Sequence, residues 1–274
     1  MRFDAYCASL QNVELSRVVG TLSDSLGAVQ EKARPRQRFA AVVDLMANNR
    51  MVAWVGQSSD TGLIYVEGKG ETSPRLAQSI RAQFPEHSVP RADVCDDYNE
   101  PGVFDRLRGI ILANKGQQTK SGYIALPDDV QDGKTWAVGK RGAVVYTRLY
   151  EAGKHPDRVH LNMPDLTRFE GEFRPHYARD KAMASRMKPS EFFGFTKWSH
   201  QVFYALSGID VPRVEIEPHV YSQDKTTRYL ANTFRRHWEE LLADGLHLEA
   251  TLRQVWAEED ERQAKSKERP KAKP

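Results

Sequence analysis

The sequence predicts an α+β fold in which a largely antiparallel central sheet is flanked by helices and followed by a helical C-terminal appendage. Segments with alternating apolar and polar residues indicate strands between about residues 38 and 174, and segments of helical periodicity lie between them. Gly, Asn and Pro mark short connections between these elements. We expect the main domain to span residues 1–210, the appendage 211–264 and a basic, disordered tail 265–274.

The first half of the predicted domain alternates helices with strands. Apolar residues recur at helical spacing up to Leu26, and Gly27, a residue typical of helix ends, follows. Asn48-Asn49 predicts a hairpin turn, and Ser73-Pro74 predicts a helix with Ser73 as its N-cap. The predicted elements are a helix over 11–26; strands over 38–46, 51–57 and 62–67; a helix over 73–84; a strand over 87–97; and a helix over 100–115.

The second half repeats this arrangement of strands and covering helices. Three neighbouring strands are predicted, and they bring Tyr150 and Glu170 within reach of each other. A long helix is expected to end near Gly208. The predicted elements are strands over 136–140, 143–151 and 166–174; helices over 177–187 and 189–206; and appendage helices over 226–243 and 248–263.

Composition limits the classes of function. The 274 residues include 40 Lys and Arg against 37 Asp and Glu, a net charge of +3, so the protein does not coat DNA by charge alone. No apolar run is long enough for a membrane span, and the N-terminus lacks the apolar core of a secretion signal. Cys7 and Cys95 are too few for a disulfide framework or a zinc site. We therefore expect a soluble protein of a reducing cytoplasm with no membrane partner.

The segment that indicates chemistry most directly is Gly139–Tyr150, a Gly-Lys-Arg-Gly turn followed by a strand. Arg148 and Tyr150 are two residues apart and share one face of that strand, and Lys154 follows just beyond it. A tyrosine held beside fixed cations can attack a phosphodiester, because the cations stabilise both the phenolate and the pentavalent phosphate. Tyr150 is therefore the candidate nucleophile, and Tyr146 on the same face is the second candidate.

Two other predicted strands carry carboxylates at strand spacing. Asp93 and Asp97 share a face of one strand, and Glu170 and Glu172 share a face of the other. Carboxylate oxygens in this number suit Mg²⁺ or Mn²⁺ and suit zinc poorly. These four residues are the predicted metal ligands.

In chain order, these motifs resemble the signature of the replication initiation factor family, the rolling-circle replication initiators of filamentous phages and plasmids. That family shows an Arg-x-Asp-x-Ala-x-Asp strand, a Gly-x-Arg turn leading into Arg-x-Tyr-x-Lys, and an Arg-x-Glu strand. The corresponding segments here are Arg91–Asp97, Gly139–Tyr150 and Arg168–Glu172. The resemblance covers roughly residues 36–240 and is closest to the filamentous phage branch.

The resemblance implies an endonuclease that nicks one strand of a replication origin in the cytoplasm of a bacterial host. Tyr150 would remain joined to the 5′ end as a phosphotyrosine, and the released 3′-hydroxyl would prime the host polymerase. A Mg²⁺ or Mn²⁺ ion would polarise the scissile phosphate. Because the phosphotyrosine conserves the energy of the phosphodiester, the same site can rejoin strands. A host helicase is a further expected partner, and a homodimer would supply the second tyrosine that ends a round.

The sequence departs from the family pattern at two positions. Ala152 stands where the family commonly has Lys, so the role of phosphate clamp or proton donor falls to Lys154, Arg148 or Lys140. Cys95 replaces the Ala of the aspartate strand, a small residue for another small residue.

Local clusters of positive charge are the candidate DNA contacts. Arg141 lies beside Lys140 in the turn before the tyrosine strand. Arg228, Arg235 and Arg236 lie on the first predicted appendage helix, where one side can pack while the other meets phosphates. A solvated basic face is the alternative for both clusters.

Two other functions remain open at this stage. A DNA-binding replication regulator that does not cut would have its carboxylates paired with arginines and would bind no metal. A metal-dependent nuclease that uses water would need Asp93 and Glu170 and would work without Tyr150. The nicking and joining enzyme is favoured, because only it uses the tyrosine, the cations and the acids together.

Overall fold

The computed structural model describes residues 1–33, 38–125 and 133–216, together with eight positions between 239 and 258. The chain divides into two compact units, Met1–Glu217 and Pro218–Pro274. The sheet and the candidate site both belong to the first unit. The predicted appendage helices, the DNA-contact candidates Arg228, Arg235 and Arg236, and the tail lie outside the described residues, apart from those eight positions.

One antiparallel sheet of ten strands forms the centre of the described residues. The strands are β1 Arg2–Leu10, β2 Val29–Lys32, β3 Phe39–Ala47, β4 Arg50–Ser58, β5 Ile64–Lys69, β6 Ser88–Asn99, β7 Ser121–Ala125, β8 Thr135–Val138, β9 Val145–Tyr150 and β10 Leu166–Phe173. Their order in the sheet is β2-β3-β4-β5-β1-β6-β10-β9-β8-β7. The predicted α+β class with a largely antiparallel sheet is confirmed.

The helices bury their apolar sides in a single core on one face of this sheet. They are α1 Leu15–Leu26, α2 Ser73–Gln83, α3 Val103–Asn114, α4 Ala178–Ala184 and α5 Lys197–Ser207. Helix α1 ends at Gly27, whose positive φ of 64° is the left-handed conformation that glycine adopts without strain. Phe169 and Phe173 of β10 and Phe193 and Phe203 from the covering segments are stacked or in edge contact within this core.

The two halves of the chain repeat one arrangement of elements. The order strand, helix, four strands, helix describes both β1 to α2 and β6 to α4. In the sheet, the N-terminal half has the order β2-β3-β4-β5-β1, and the C-terminal half has its mirror order, β6-β10-β9-β8-β7. The halves therefore meet where β1 pairs with β6, at the middle of the sheet.

The strand registers of the two halves also correspond. Cys7 of β1 lies opposite Glu67 of β5, and Cys95 of β6 lies opposite Glu170 of β10. Each glutamate is followed by a glycine, Gly68 or Gly171. The same alignment places Trp54 at the position of Arg148, Tyr65 at that of Arg168, Gly56 at that of Tyr150 and Ser9 at that of Asp97.

Three strands of the sheet were absent from the sequence prediction. β1 was missed although it occupies a central position, and the short strands β2 and β7 were missed at the two edges. Four consecutive residues of β1, Ala5, Tyr6, Cys7 and Ala8, are all buried, so the middle of this strand does not alternate apolar and polar residues. A strand buried on both faces carries no period-two signal.

Two predicted helix features were wrong in detail. Ser73 is the first residue of α2, Thr72 holds the N-cap position, and the Ser73 hydroxyl donates to the backbone oxygen of Asp4. The predicted helix over 189–206 is two elements, a 3₁₀ segment Pro189–Phe195 and α5. Thr196 breaks it, because its side chain accepts from the Ser199 amide and caps a new helix.

Across the part of the chain that the structure describes, no helix combines the length and the apolar character that crossing a bilayer requires.

Candidate active site

The candidate site lies on the sheet face opposite the helix core, here called the polar face. Side chains directly opposite each other on neighbouring strands point to the same face, so the strand registers define this face. Its central residues are Asp93, Cys95 and Asp97 of β6; Arg168, Glu170 and Glu172 of β10; and Tyr146, Arg148 and Tyr150 of β9. The three motifs that were separate in the sequence are thus adjacent in space.

Tyr150 and Arg148 meet on the carboxylate of Glu170. The Tyr150 hydroxyl donates to Oε2 of Glu170 over 3.0 Å, and Arg148 Nη2 donates to Oε1 over 2.5 Å. The Glu170 side chain is only 4% exposed, whereas that of Arg148 is 33% exposed. Both oxygens of a buried carboxylate are therefore directed at a phenol and a guanidinium, and Glu170 is positioned to accept the phenol proton. The predicted proximity of Tyr150 and Glu170 is confirmed.

Burial and then the negative charge of Glu170 raise the pKa of Tyr150 above its ordinary value, while the charges of Arg168 and Arg158 act in the opposite direction. The phenol is therefore protonated at neutral pH. A nucleophilic role for this hydroxyl thus requires a base, and Glu170 is the carboxylate in contact with it. Tyr146, the other candidate nucleophile, is 6% exposed.

A second cluster surrounds Arg168, the residue opposite Tyr150 in the sheet. Arg168 donates through Nε and Nη2 to the two oxygens of Asp97, over 2.6 and 2.8 Å, and through Nη1 to Asp4 over 2.8 Å. Arg2 also contacts both carboxylates. Burial opposes ionisation of Asp97, but the hydrogen bond and charge of Arg168 outweigh it and lower the pKa of this carboxyl.

Asp4 enters this cluster because β1 is irregular at that point. The register between β1 and β6 shifts between Phe3 and Ala5, so Asp4 is an extra residue with no partner on β6. A bulge of this kind turns an additional side chain toward one face of a sheet. Asp4 was not among the predicted site residues, because β1 itself was not predicted.

The third cluster consists of Asp93 and Glu172 with their arginines. Arg91 donates to both oxygens of Asp93 and lies 3.5 Å from Glu172, which also accepts from Arg174 Nε over 2.6 Å. Burial raises the pKa of Asp93 despite its bond to Arg91, and the negative charges of Glu170 and Glu172 add to this effect. For Glu172, burial is outweighed by Arg174 and Arg91, which lower the pKa.

The four predicted metal ligands do not fit a metal centre in this arrangement. Each of Asp93, Asp97, Glu170 and Glu172 is bound by an arginine. Among the described side chains, no group of three or more His, Cys, Asp or Glu residues is placed to hold an ion. An ion would require at least one arginine to leave its carboxylate, so the dependence on Mg²⁺ or Mn²⁺ stays a prediction.

The structure does not bring the predicted lysines to Tyr150. Lys140 and Arg141 lie in the turn before β9, at the opposite end of that strand from Tyr150. Val145, at the start of the strand, and Tyr150, at its end, are five steps of about 3.3 Å apart, a separation on the order of 16 Å. Lys154, on the 3₁₀ segment Ala152–Lys154, forms a salt bridge of 2.9 Å with Glu151. Arg158 influences Tyr150 instead, and no sequence signal had marked it.

The equivalent surface of the N-terminal half differs in its chemistry. Gly56 stands at the position of Tyr150, and a Cβ there would come within 2.9 Å of the rings of both Phe39 and Trp54. Trp54, Phe39 and Tyr65 form a cluster with ring centroids 5.1 to 5.7 Å apart. Glu67, the counterpart of Glu170, pairs with Lys69 over 2.9 Å.

Comparison with known proteins gives a likeness in structure. No protein-family model matches the chain, and no curated protein matches it in sequence. A solved structure of a rolling circle replication initiator protein from Geobacillus stearothermophilus is similar, with a TM-score of 0.50 and 17% sequence identity. The match covers 70% of this chain and 82% of that chain. At this identity the likeness shows a shared fold.

Proposed function

We propose that this protein initiates rolling-circle DNA replication by nicking one strand of an origin through a phosphotyrosine formed on Tyr150. The hydrogen bond from the Tyr150 hydroxyl to buried Glu170 is the observation that carries the proposal. It supplies the base that a tyrosine with a raised pKa needs. The shared fold with a solved rolling circle replication initiator and the order of the three motifs support the same function.

In the proposed reaction, Glu170 takes the phenol proton as the Tyr150 oxygen attacks the scissile phosphorus. The bond from phosphorus to the 3′-oxygen breaks as the bond to tyrosine forms. The products are a 5′-phosphotyrosine and a 3′-hydroxyl: the leaving 3′-oxygen takes a proton from solvent water, and the proton held by Glu170 returns to solvent. Reversal of the same steps with a new 3′-hydroxyl rejoins a strand.

The arginines around Tyr150 have separate roles in this proposal. Arg148 fixes the carboxylate of Glu170, with which it forms a 2.5 Å bond. Arg168 and Arg158 carry positive charge that acts on the Tyr150 oxygen, and the same charge would stabilise the pentavalent phosphate. Binding of Mg²⁺ or Mn²⁺ by Asp93, Asp97, Glu170 and Glu172 stays a prediction, because an arginine holds each of these carboxylates. No step above depends on it.

The partners of this activity follow from its products. The substrate is the origin of the replicating element, single-stranded at the nick, and the 3′-hydroxyl is a primer for a host polymerase. A host helicase would open the duplex ahead of it. A homodimer would bring the second Tyr150 that a terminating transfer requires. Arg141, Arg228, Arg235 and Arg236 remain the proposed DNA contacts away from the nick.

The test is incubation of the protein with supercoiled DNA that carries the element's own origin, with and without Mg²⁺ or Mn²⁺. We expect the wild-type protein to nick the DNA and to be recovered on a 5′ end. The Tyr150→Phe variant should do neither, because the hydroxyl is the nucleophile. Tyr146→Phe is the matched control on the same strand face and should nick normally. Nicking by Tyr150→Phe with loss in Tyr146→Phe would reverse the assignment.

A second function, binding of the origin without cutting, is favoured by one specific observation. All four predicted metal ligands are paired with arginines, as a regulator that keeps the fold but lacks chemistry would have them. Specific origin binding by the wild-type protein without nicks or adducts would establish this function. Nicks without an adduct that persist in Tyr150→Phe would instead indicate a water-using nuclease.

A further inference from the structure

A cleft of about 550 Å³ opens next to the Arg168 cluster, at the middle of the sheet. Its walls come from both halves of the chain. The N-terminal half contributes the start of β4 at Arg50 and Met51 and the 3₁₀ segment Gly70–Thr72. The C-terminal half contributes the 3₁₀ segment Pro156–Leu161, with Arg158 and His160, and the residue Met163.

The cleft is rich in positive charge. Three of its lining residues are acidic, Asp4, Glu71 and Asp97. Two of these already neutralise Arg168, which is 3% exposed. Neither Arg50 nor Arg158 lies within salt-bridge distance of a carboxylate among the described side chains. The five cationic residues of the lining are Arg2, Arg50, Lys69, Arg158 and Arg168.

The cleft shares Arg168, Asp97 and Arg158 with the surroundings of Tyr150. Arg168 lines it and stands opposite Tyr150 in the sheet. Arg158 also lines it, and its charge acts on both Tyr150 and Asp97. A DNA strand whose scissile phosphate lies at Tyr150 therefore has this cleft as the adjoining cationic surface.

The apolar part of the lining indicates which form of DNA fits. Met51 and Met163 are both exposed large side chains, and they line the cleft from different halves of the chain. Single-strand binding sites combine a cationic groove with aromatic side chains that stack on bases, and in this cleft the polarisable side chains of Met51 and Met163 would take the place of those rings. A duplex would present its phosphates but hide those base faces.

We propose that this cleft binds the single-stranded DNA that adjoins the scissile phosphate, with Arg50 and Arg158 on its phosphates. The inference rests on the proposed nicking function for its position along the strand. The proposed binding site is formed by residues from both halves of the chain. Arg50, from the half in which Gly56 occupies the position of Tyr150, then contributes to holding the substrate of the other half.

The test uses Tyr150→Phe protein, so that bound DNA is not cut, and a fluorescein-labelled oligothymidylate of about 15 nucleotides. Fluorescence anisotropy at several salt concentrations gives both the Kd and its salt dependence. Arg50→Ala and Arg158→Ala are each added to this background. Arg75→Ala on α2 is the matched control, because it removes the same charge from a helix, where Arg75 donates to the Ser25 carbonyl. Arg50→Lys tests whether charge alone suffices.

We expect Arg50→Ala and Arg158→Ala each to weaken binding roughly ten-fold and to reduce the salt slope by about 0.7, the loss of one phosphate contact on a single strand. Arg75→Ala should change neither quantity, and Arg50→Lys should keep the slope. Unchanged binding in both alanine variants, or equal losses on a duplex of the same length, would overturn the proposal. These outcomes are independent of nicking, so nicking that survives Tyr150→Phe would reject the proposed function and leave the cleft result standing.

Discussion

The two halves of the sheet place different chemistry at equivalent positions. In the C-terminal half, Glu170 is bound by Arg148 and Tyr150. In the N-terminal half, Glu67 is bound by Lys69, beside Trp54 and Gly56. The backbone frame corresponds in the two halves, with mirrored strand order and matching registers around the site. The shared frame therefore fixes where each side chain stands, and the chemistry of each half is set by four differing pairs: Arg148 and Trp54, Tyr150 and Gly56, Arg168 and Tyr65, and Asp97 and Ser9.

The contrast extends to how each half fills its polar face. The C-terminal half uses buried pairs of arginine and carboxylate, which are costly unless every partner is present. The N-terminal half uses the Phe39, Trp54 and Tyr65 rings, which pack over Gly56 and close the space that a larger residue would occupy. One half is therefore organised around charge and the other around apolar packing.

The largest expected difference between the halves is in catalysis. Glu170→Gln should lower the nicking rate roughly a hundred-fold or more, because the amide cannot accept the phenol proton. Glu67→Gln changes the equivalent residue and should leave the rate within about two-fold. The measurement is the single-turnover nicking rate on origin DNA, followed against pH. If Glu67→Gln lowers the nicking rate as much as Glu170→Gln, Glu170 contributes by stabilising the folded sheet and does not accept the Tyr150 proton.

A smaller difference is expected in stability and its pH dependence. Asp97→Asn should lower the free energy of unfolding at pH 7 by about 2 kcal/mol, because it leaves buried Arg168 with Asp4 and without its bidentate partner. The folded-state pKa of Asp97 is lowered, so its contribution is present above the unfolded value near 4 and is lost as pH falls through the folded value.

Urea unfolding of wild type and Asp97→Asn at pH 7 and near pH 3 measures this effect, and the difference between the two proteins should shrink at the lower pH. Ser9→Ala at the equivalent position of β1 is the control, expected within about 0.5 kcal/mol of wild type at both pH values. A penalty for Asp97→Asn that does not change with pH would show that the ion pair is not its source.

Gly56→Ala tests the packed face of the N-terminal half. The added Cβ would lie 2.9 Å from the Phe39 and Trp54 rings, so we expect a loss of about 1 to 2 kcal/mol in the free energy of unfolding. Gly20→Ala on α1, where a Cβ meets nothing within 4 Å, is the control and should not destabilise. An unchanged free energy of unfolding for Gly56→Ala would show that the Phe39 and Trp54 rings move to make room for the methyl group without cost.

The two halves should not differ in the reactivity of their cysteines, Cys7 and Cys95. Burial, followed by the charge of Glu67 for Cys7 and of Asp4 for Cys95, raises the pKa of each thiol to about 12. Both thiols should therefore resist a disulfide reagent at pH 8 in the folded protein and react fully in denaturant. Rapid modification of Cys95 alone would show that the C-terminal half opens more readily than the N-terminal half.

The sequence predicted the site where strand periodicity was clean. In β6, β9 and β10 charged or polar residues alternate with apolar or small residues around the site, so the shared face of Arg148 and Tyr150 and the nearness of Glu170 followed from the sequence. The prediction did not give the register between strands, and that register pairs each carboxylate with an arginine. It also could not place Lys140, because position along a strand decides the distance to Tyr150 as much as the shared face does.

Other parts of the site lie where no periodic signal exists. Asp4 reaches Arg168 through a bulge in a strand buried on both faces, and neither feature has a pattern in one sequence. Arg158 belongs to a 3₁₀ segment between β9 and β10, in a loop that the sequence does not mark. Irregular backbone therefore supplies the residues that periodicity cannot find.

The mirrored order of the strands also determines what the sheet presents to other proteins. β1 and β6 would each be long edge strands if a half stood alone, and they cover each other at the centre. Within the described residues, the sheet ends in β2 and β7, of four and five residues. Short edges offer few free backbone groups to a foreign strand, which protects against aggregation. A homodimer of this protein should accordingly form through side-chain surfaces and not by joining two sheets edge to edge.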